Sequence, residues 1–325
     1  MNRRGMLLAL LALAGPLSLG AQPAKAPVRI GWLSTGSREG SARVFAIFKE
    51  RLAALGWKEG QNYVIEESFA QERTDRFPVL AKELAAKKPG LIVTTSAQAT
   101  AAASKAAPDT PIVMVGGADP VVAGFAKSLA RPDGMITGIS NNSADLSEKY
   151  LDLLRLAVPN LKRVGFLVDS RNPTRATLVQ AARRSAAQYK IDARFAEIAN
   201  PEDIDAAIAG LAKEGAQALV VLSSPTLSAA RGRIVELTWK HRMPVIGNDR
   251  TWPANGALMS YGIDRLEILG RAAYYVDRIL KGEKPGDLPI EQPTRIELVI
   301  SLKAARALGI VIPQSVRIRA DEVIE

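Results

Sequence analysis

The stretch Arg163–Pro173, RVGFLVDSRNP, reads as a short apolar strand that runs into a polar loop and opens a helix. An earlier copy of this device, Arg29–Gly36, RIGWLSTG, stands 134 positions upstream; both begin with a basic residue, a β-branched residue, Gly, an aromatic and Leu. The match continues downstream of both copies. Strands Val28–Leu33, Tyr63–Ser68, Leu91–Thr94 and Pro111–Val115 are answered by Arg163–Val168, Ala193–Glu197, Leu219–Leu222 and Pro244–Gly247. Helices over Ser41–Leu55 and Arg76–Lys87 are answered by Thr174–Tyr189 and Pro201–Lys213. In the first of them Val44, Ile47, Phe48, Leu52 and Leu55 recur at helical spacing, which sets an apolar face against a sheet. Strands that alternate with helices predict parallel sheets, and four matched strand pairs point to a duplicated unit. The expected fold class is α/β: two doubly wound parallel-sheet, Rossmann-like lobes joined by a multi-strand hinge.

Other elements are expected at Pro120–Ala130 (helix), Ile136–Ile139 (strand), Ala144–Ala157 (helix) and Thr226–His241 (one helix). The register of the repeat ends after Gly247. A tail comes next, with strand Ala257–Tyr261, helix Asp264–Lys281, a Pro/Gly-rich connector over Gly282–Pro293, strand Arg295–Ile300 and helix Leu302–Leu308. Too short for a third domain, it is expected to complete the sheets of both lobes. This divides the chain into lobe one, 28–140 with 264–290, and lobe two, 141–263 with 291–325. The hinge is expected at Ser140–Ala144, Gly262–Asp264 and the connector near Pro293.

The 325 residues, 47% hydrophobic and 23% charged, suffice for two domains. There is no Cys and one His, His241. Disulfides, thiolate catalysis, cysteine-ligated metals, His-rich metal sites and a catalytic His pair are thereby excluded. No cofactor or metal is expected. Asn2-Arg3-Arg4, the apolar run Met6–Ala14 and the break at Gly15-Pro16 make residues 1–21 a signal peptide with cleavage after Ala21. The run is too short for a membrane span. The net charge of +10 becomes +8 without Arg3 and Arg4, and no Lys/Arg block stands elsewhere, so no nucleic-acid partner is expected. The expected product is a periplasmic monomer.

In open α/β sheets ligands bind beyond the carboxyl ends of the strands. That rule selects Thr35, Ser37, Ser96, Gln98 and Asp119 in the first half, and Asn172, Thr174, Ser224, Thr226, Asp249 and Trp252 in the second. Asn141 and Gly262 join them at the hinge. Small polar residues ahead of helix N-termini suit a carboxylate or another anion, although the same residues also serve as caps and turns. Asp119 and Asp249 follow equivalent strands and could meet a ligand ammonium or cap a loop. Trp252 is read as an exposed loop aromatic able to stack on a ligand; Trp32 and Trp57 are read as packing residues. No Walker loop, no G-x-G-x-x-G after a strand and no G-x-S-x-G elbow is present. His241, at a helix end, is read as a surface residue.

LGWKEGQN (Leu55–Asn62), DRFPVLAKEL (Asp75–Leu84), ADPVVAGFAKSLARPDGMITGIS (Ala118–Ser140) and LMSYG (Leu258–Gly262) carry a resemblance that continues through Tyr275–Ile310 and RADEVI (Arg319–Ile324). Over Val28–Glu325 the chain resembles the ABC transporter substrate-binding family whose better-known members bind tryptophan or phenylalanine, with a type I periplasmic-binding-protein fold. The resemblance implies a solute-binding protein that closes over a small polar ligand, an amino acid among the candidates. It implies delivery of that ligand to an ABC permease in the membrane, without covalent chemistry. The alternatives are a ligand-binding sensory protein and an exported α/β enzyme.

Overall fold

The computed structural model describes residues 26–116, 119–140, 143–293 and 295–325. The leader, Asn141 and part of the first hinge crossing lie outside the described residues. The first run is β1 (Val28–Ser34), α1 (Ala42–Ala54), β2 (Tyr63–Phe69), α2 (Phe77–Ala86), β3 (Leu91–Thr94), α3 (Ala97–Ala106), β4 (Ile112–Val115) and β5 (Ile136–Ile139). Helix α4 (Ser143–Ala157) leads to the second: β6 (Arg163–Asp169), α5 (Arg175–Tyr189), β7 (Asp192–Ile198), α6 (Ile204–Lys213) and β8 (Ala218–Val221). It continues with α7 (Pro225–Ala229), α8 (Arg231–Lys240), β9 (Val245–Gly247), α9 (Thr251–Ala254) and β10 (Met259–Ile263). The remainder is α10 (Arg265–Leu280), β11 (Ile296–Ser301), α11 (Leu302–Leu308), α12 (Gln314–Arg317) and β12 (Glu322–Ile324).

One sheet runs β2-β1-β3-β4-β5, all parallel; the other runs β12-β11-β10-β9-β8-β6-β7, parallel except where β11 meets β10. The shared order β2-β1-β3-β4-β5 and β7-β6-β8-β9-β10 is the duplication in three dimensions. Equivalent backbone atoms make equivalent bonds. Gly90 N–H donates to Arg29 O (2.8 Å) as Gln217 N–H does to Arg163 O (3.0 Å), and Thr95 N–H to Leu33 O as Leu222 N–H to Leu167 O. The glycine inside each founding strand has one reason in both halves. A Cβ on Gly31 would stand 3.0 Å from Leu84 Cδ2, and one on Gly165 would stand 3.0 Å from Leu211 Cδ1. The missing side chain lets α2 and α6 press their leucines onto the sheet.

The repeat extends one strand further than its sequence register. β5 ends Thr137-Gly138-Ile139 and β10 ends Tyr261-Gly262-Ile263, each just before a crossing. A Cβ on Gly138 would lie 2.2 Å from Met114 O, and on Gly262 1.8 Å from Asn248 O, so only glycine lets either strand approach its neighbour's backbone there.

Three segments differ from the sequence expectation. Residues 120–130 form turns, not a helix. Asp119 accepts from the N–H groups of Val121 (2.9 Å) and Val122 (3.1 Å), and the chain then leaves the turn at Gly124 with φ +73°. The helix expected over Thr226–His241 is broken at Ala230 (φ −83°, ψ 8°) into α7 and α8, and Arg231 Nη1 donates to Ser228 O (2.6 Å) at the break. The tail strands enter only the second sheet. The first sheet receives α10, which packs on α1, β4 and β5, with Trp57 Nε1 donating to Asp277 Oδ1 at 2.9 Å.

The two halves are tied at the connector. Glu291 N–H donates to Gly138 O (3.0 Å), Ser140 N–H to Glu291 O (2.8 Å), and the Glu291 carboxylate is gripped by Arg271. That carboxyl is held below its ordinary range chiefly by the Arg271 hydrogen bond. A continuous apolar core runs from β1 and α1 through Tyr150, Ile263 and Leu269 to β6 and α5. Separate clusters lie under α2 and α3 and under α6 and α8.

Candidate ligand-binding site

The carboxyl ends of β1, β3 and β4 face those of β6, β8 and β9 across a cavity of about 410 Å³, within the size range of small-molecule pockets. Each half presents the same device to it: a serine that caps the helix after the third strand. Ser96 accepts from Ala99 N–H (3.2 Å) and opens α3; Ser224 accepts from Leu227 N–H (3.4 Å) and opens α7. Their hydroxyls differ in what remains. Ser224 Oγ donates to the buried Asp169 carboxylate (2.7 Å), so its proton is already used. Ser96 Oγ accepts from Thr35 Oγ1 (3.4 Å), and no hydrogen bond among the described residues uses its own proton.

Gln98, at the second position of α3, is the clearest polar signal in the cavity. Both its Nε2 and Oε1 are buried without a hydrogen-bond partner among the described residues. Native interiors rarely leave such groups unpaired. Beside it, Thr35 and Ser37 come from the loop after β1, where Ser37 Oγ accepts from Gly40 N–H (3.0 Å). Across the cavity, Asn172 is fixed by donating to Ser223 O (2.7 Å) and accepting from Thr174 N–H and Oγ1 (3.0 Å each). Asp249 accepts from Thr251 N–H (2.8 Å) and from the Thr251 hydroxyl.

Thr35, Ser37, Ser96, Gln98, Asn172, Thr174, Ser224 and Asp249 therefore line one cavity. Four other candidates do not. Trp252 is fully buried, with its indole against the Gly247 backbone, where a Cβ would come within 2.2 Å of the ring, and its Nε1 donating to Asn248 Oδ1 (3.0 Å). It is a core residue, not the exposed loop aromatic the sequence suggested. Thr226 is buried at the second position of α7 and does not join Pro225 and Ser228 in the lining. Asp119 caps its own turn, and Gly262 serves the close approach to Asn248.

The cavity also holds residues that sequence reasoning passed over. Tyr150 of α4 and Ile263, Ile268 and Leu269 give it an apolar wall. The Tyr150 phenol is pushed up from its ordinary value by burial first, then by the charge of Asp249. Asp264 and Glu297 bring acid to the hinge side, and burial followed by the charge of Asp264 raises the Glu297 carboxyl. Arg43, Glu72 and Arg231 add charge from α1, the β2–α2 loop and α8. Glu297 lies opposite Gly262 in the β10–β11 pair, a proximity visible only once the antiparallel register is known. Arg38, by contrast, turns away to pair with Glu67 (2.8 Å).

Among the described residues there is no group of three His, Asp or Glu side chains able to hold a metal ion, and no helix long and apolar enough to cross a membrane. The sequence pattern of the family described as "ABC transporter substrate binding protein" matches residues 37–324. A tyrosine-binding protein of Clostridioides difficile is 25% identical over 261 residues, which is 80% of this chain and 75% of that protein. An ABC domain from Streptococcus pneumonia crystallised in complex with L-Trp superimposes with a TM-score of 0.85 at 24% identity, covering 92% of this chain and 100% of its own. A conserved domain protein from Vibrio cholerae superimposes equally well, with a TM-score of 0.85, 25% identity and coverage of 91% and 99%. The fold is that of these proteins, and the chain belongs to the ABC transporter substrate-binding protein family.

Proposed function

We propose that this protein is exported, captures a small dipolar molecule of the amino-acid class between its two lobes, and hands it to an ABC permease without altering it. The observation that carries the reading is the unpaired Gln98 amide beside the Ser96 hydroxyl, whose own proton no hydrogen bond among the described residues uses, on a wall facing the polar loops of the other half. Acid at the hinge side and guanidinium groups elsewhere in the lining suit a ligand with charges of both signs. The names of two relatives, a tyrosine-binding protein and a domain complexed with L-Trp, support the amino-acid class.

In this reading lobe one is 28–140 with 264–290, and lobe two is 141–263 with 291–325; the crossings beside Ile139, Ile263 and Glu291 form the hinge. The protein acts as a monomer, and residues 1–21 are removed on export, leaving a mature N-terminus at Gln22. Closure is a hinge motion in which the ligand bridges both lobes. The direct test is calorimetric titration of the mature protein with the twenty L-amino acids, with small-angle scattering on the tightest binder. Saturable binding with a fall in radius of gyration is expected. Chemical conversion of the bound molecule, or no binding across the set, would overturn the reading.

A further inference from the structure

We infer that Arg231 is the residue that pairs with the ligand's anionic group, which makes a carboxylate a requirement of recognition; this rests on the amino-acid reading above. Arg231 lines the cavity, half-buried, at the first position of α8. It takes part in no ion pair among the described residues. Its Nη1 donates to Ser228 O (2.6 Å), which anchors one side of the guanidinium. On the other side Nε is buried without a partner. A buried N–H left unpaired is costly, and the Nε–Nη2 edge is the fork that receives both oxygens of a carboxylate.

Helix stability does not account for the residue. A cation at the first turn opposes the helix dipole, and Ala230 supplies no side-chain cap to α8. Nor are the neighbouring arginines equivalent. Arg250 is engaged by Glu322, and Arg43 is exposed on α1. The broken helix that the sequence reads as continuous is what brings Arg231 to the cavity: Ser228, Ala229 and Arg231 all line it. At the hinge side Asp264 and Glu297 supply the opposite charge for the ligand's positive end.

The experiment compares wild type, Arg231→Met and Arg231→Lys by calorimetry with L-tyrosine, L-tryptophan and the other L-amino acids, and with the carboxamide of the tightest binder. Thermal melting without ligand monitors the fold. Wild type should prefer the acid over its amide. Arg231→Met should lose about ten- to a hundredfold in affinity for the acid and bind acid and amide alike. Arg231→Lys, which keeps the charge and loses the fork, should fall between. An Arg231→Met protein that binds the acid as tightly as wild type overturns the role of Arg231 while leaving the amino-acid reading intact. Should Arg231→Met not fold, equal wild-type affinity for acid and amide overturns it instead. A wild type that binds none of the acids overturns the amino-acid reading and this inference with it.

Discussion

Replacing Gln98 with Ala separates a binding residue from a structural one in a single variant. The side chain makes no hydrogen bond among the described residues, and both of its polar ends are buried. Removing it breaks no hydrogen bond among the described residues. It lifts the burden of two unpaired groups, each worth about 1–3 kcal/mol when water cannot reach them. Alanine at the second position of α3 also suits a helix. The melting temperature without ligand should therefore stay level or rise. With ligand the balance reverses, because the amide would meet a charged group, a hydrogen bond worth about 1.5–3 kcal/mol or ten- to a hundredfold in affinity. Calorimetric titration and thermal melting on the same preparation read both numbers. Unchanged affinity would remove Gln98 from the site, and a clear fall in melting temperature would make it a structural residue; neither outcome is compatible with the role assigned to it.

Trp252→Ala should cost about 3–5 kcal/mol of stability, as expected for emptying a fully buried indole site, measured by urea denaturation of the unliganded protein. Gly262→Ala places a methyl group 1.8 Å from Asn248 O, so it should lower stability by about 1–3 kcal/mol and displace the lining residue Asn248, weakening binding as well. Ser224→Ala leaves the buried Asp169 carboxylate without its hydroxyl donor, so the loss should appear in melting temperature before it appears in affinity. Glu291→Gln removes a carboxyl whose folded value lies below the ordinary 4.5. Its stabilisation is present above that value and disappears as pH falls through the folded one. The melting difference from wild type should hold from pH 7 down to the ordinary 4.5 and shrink only as pH falls below it, and stay within about 1 kcal/mol because both partners are partly exposed.

Much of this architecture can be read from the chain because it is written twice. The Gly31 and Gly165 positions, the two capping serines and the Ile92–Pro111 and Leu219–Pro244 pairings repeat local physics that periodicity and turn chemistry report directly. What escaped reading depends on long-range contacts. The fifth strand pair, Met135–Ile139 and Met259–Ile263, shares only Met, Gly and Ile, and the requirement behind the match is one glycine against a neighbouring carbonyl. Trp252 looks like a loop aromatic until Gly247 is seen to leave room beneath it. The break at Ala230 carries neither Pro nor Gly, and a carbonyl–guanidinium contact marks it instead. The leader and Asn141 lie outside the described residues.

Duplication alone would give two equivalent half-sites, and the hydrogen bonds show why they are not. In lobe two the strand that matches β1 ends in Asp169, and its carboxylate takes the proton of the capping Ser224; Asn172 is likewise held from both ends. In lobe one the equivalent of Asp169 is Thr35, a donor, so Ser96 keeps its proton and Gln98 keeps both ends of its amide. One acid-to-hydroxyl difference at the end of a repeated strand thus turns matching loops into unlike partners. The first half carries a side-chain amide with both ends unmet, and the second carries the unmet Nε of Arg231. On the proposed reading, the second half closes over the ligand with Ser224 and Asn172 already paired and the Arg231 guanidinium open to it.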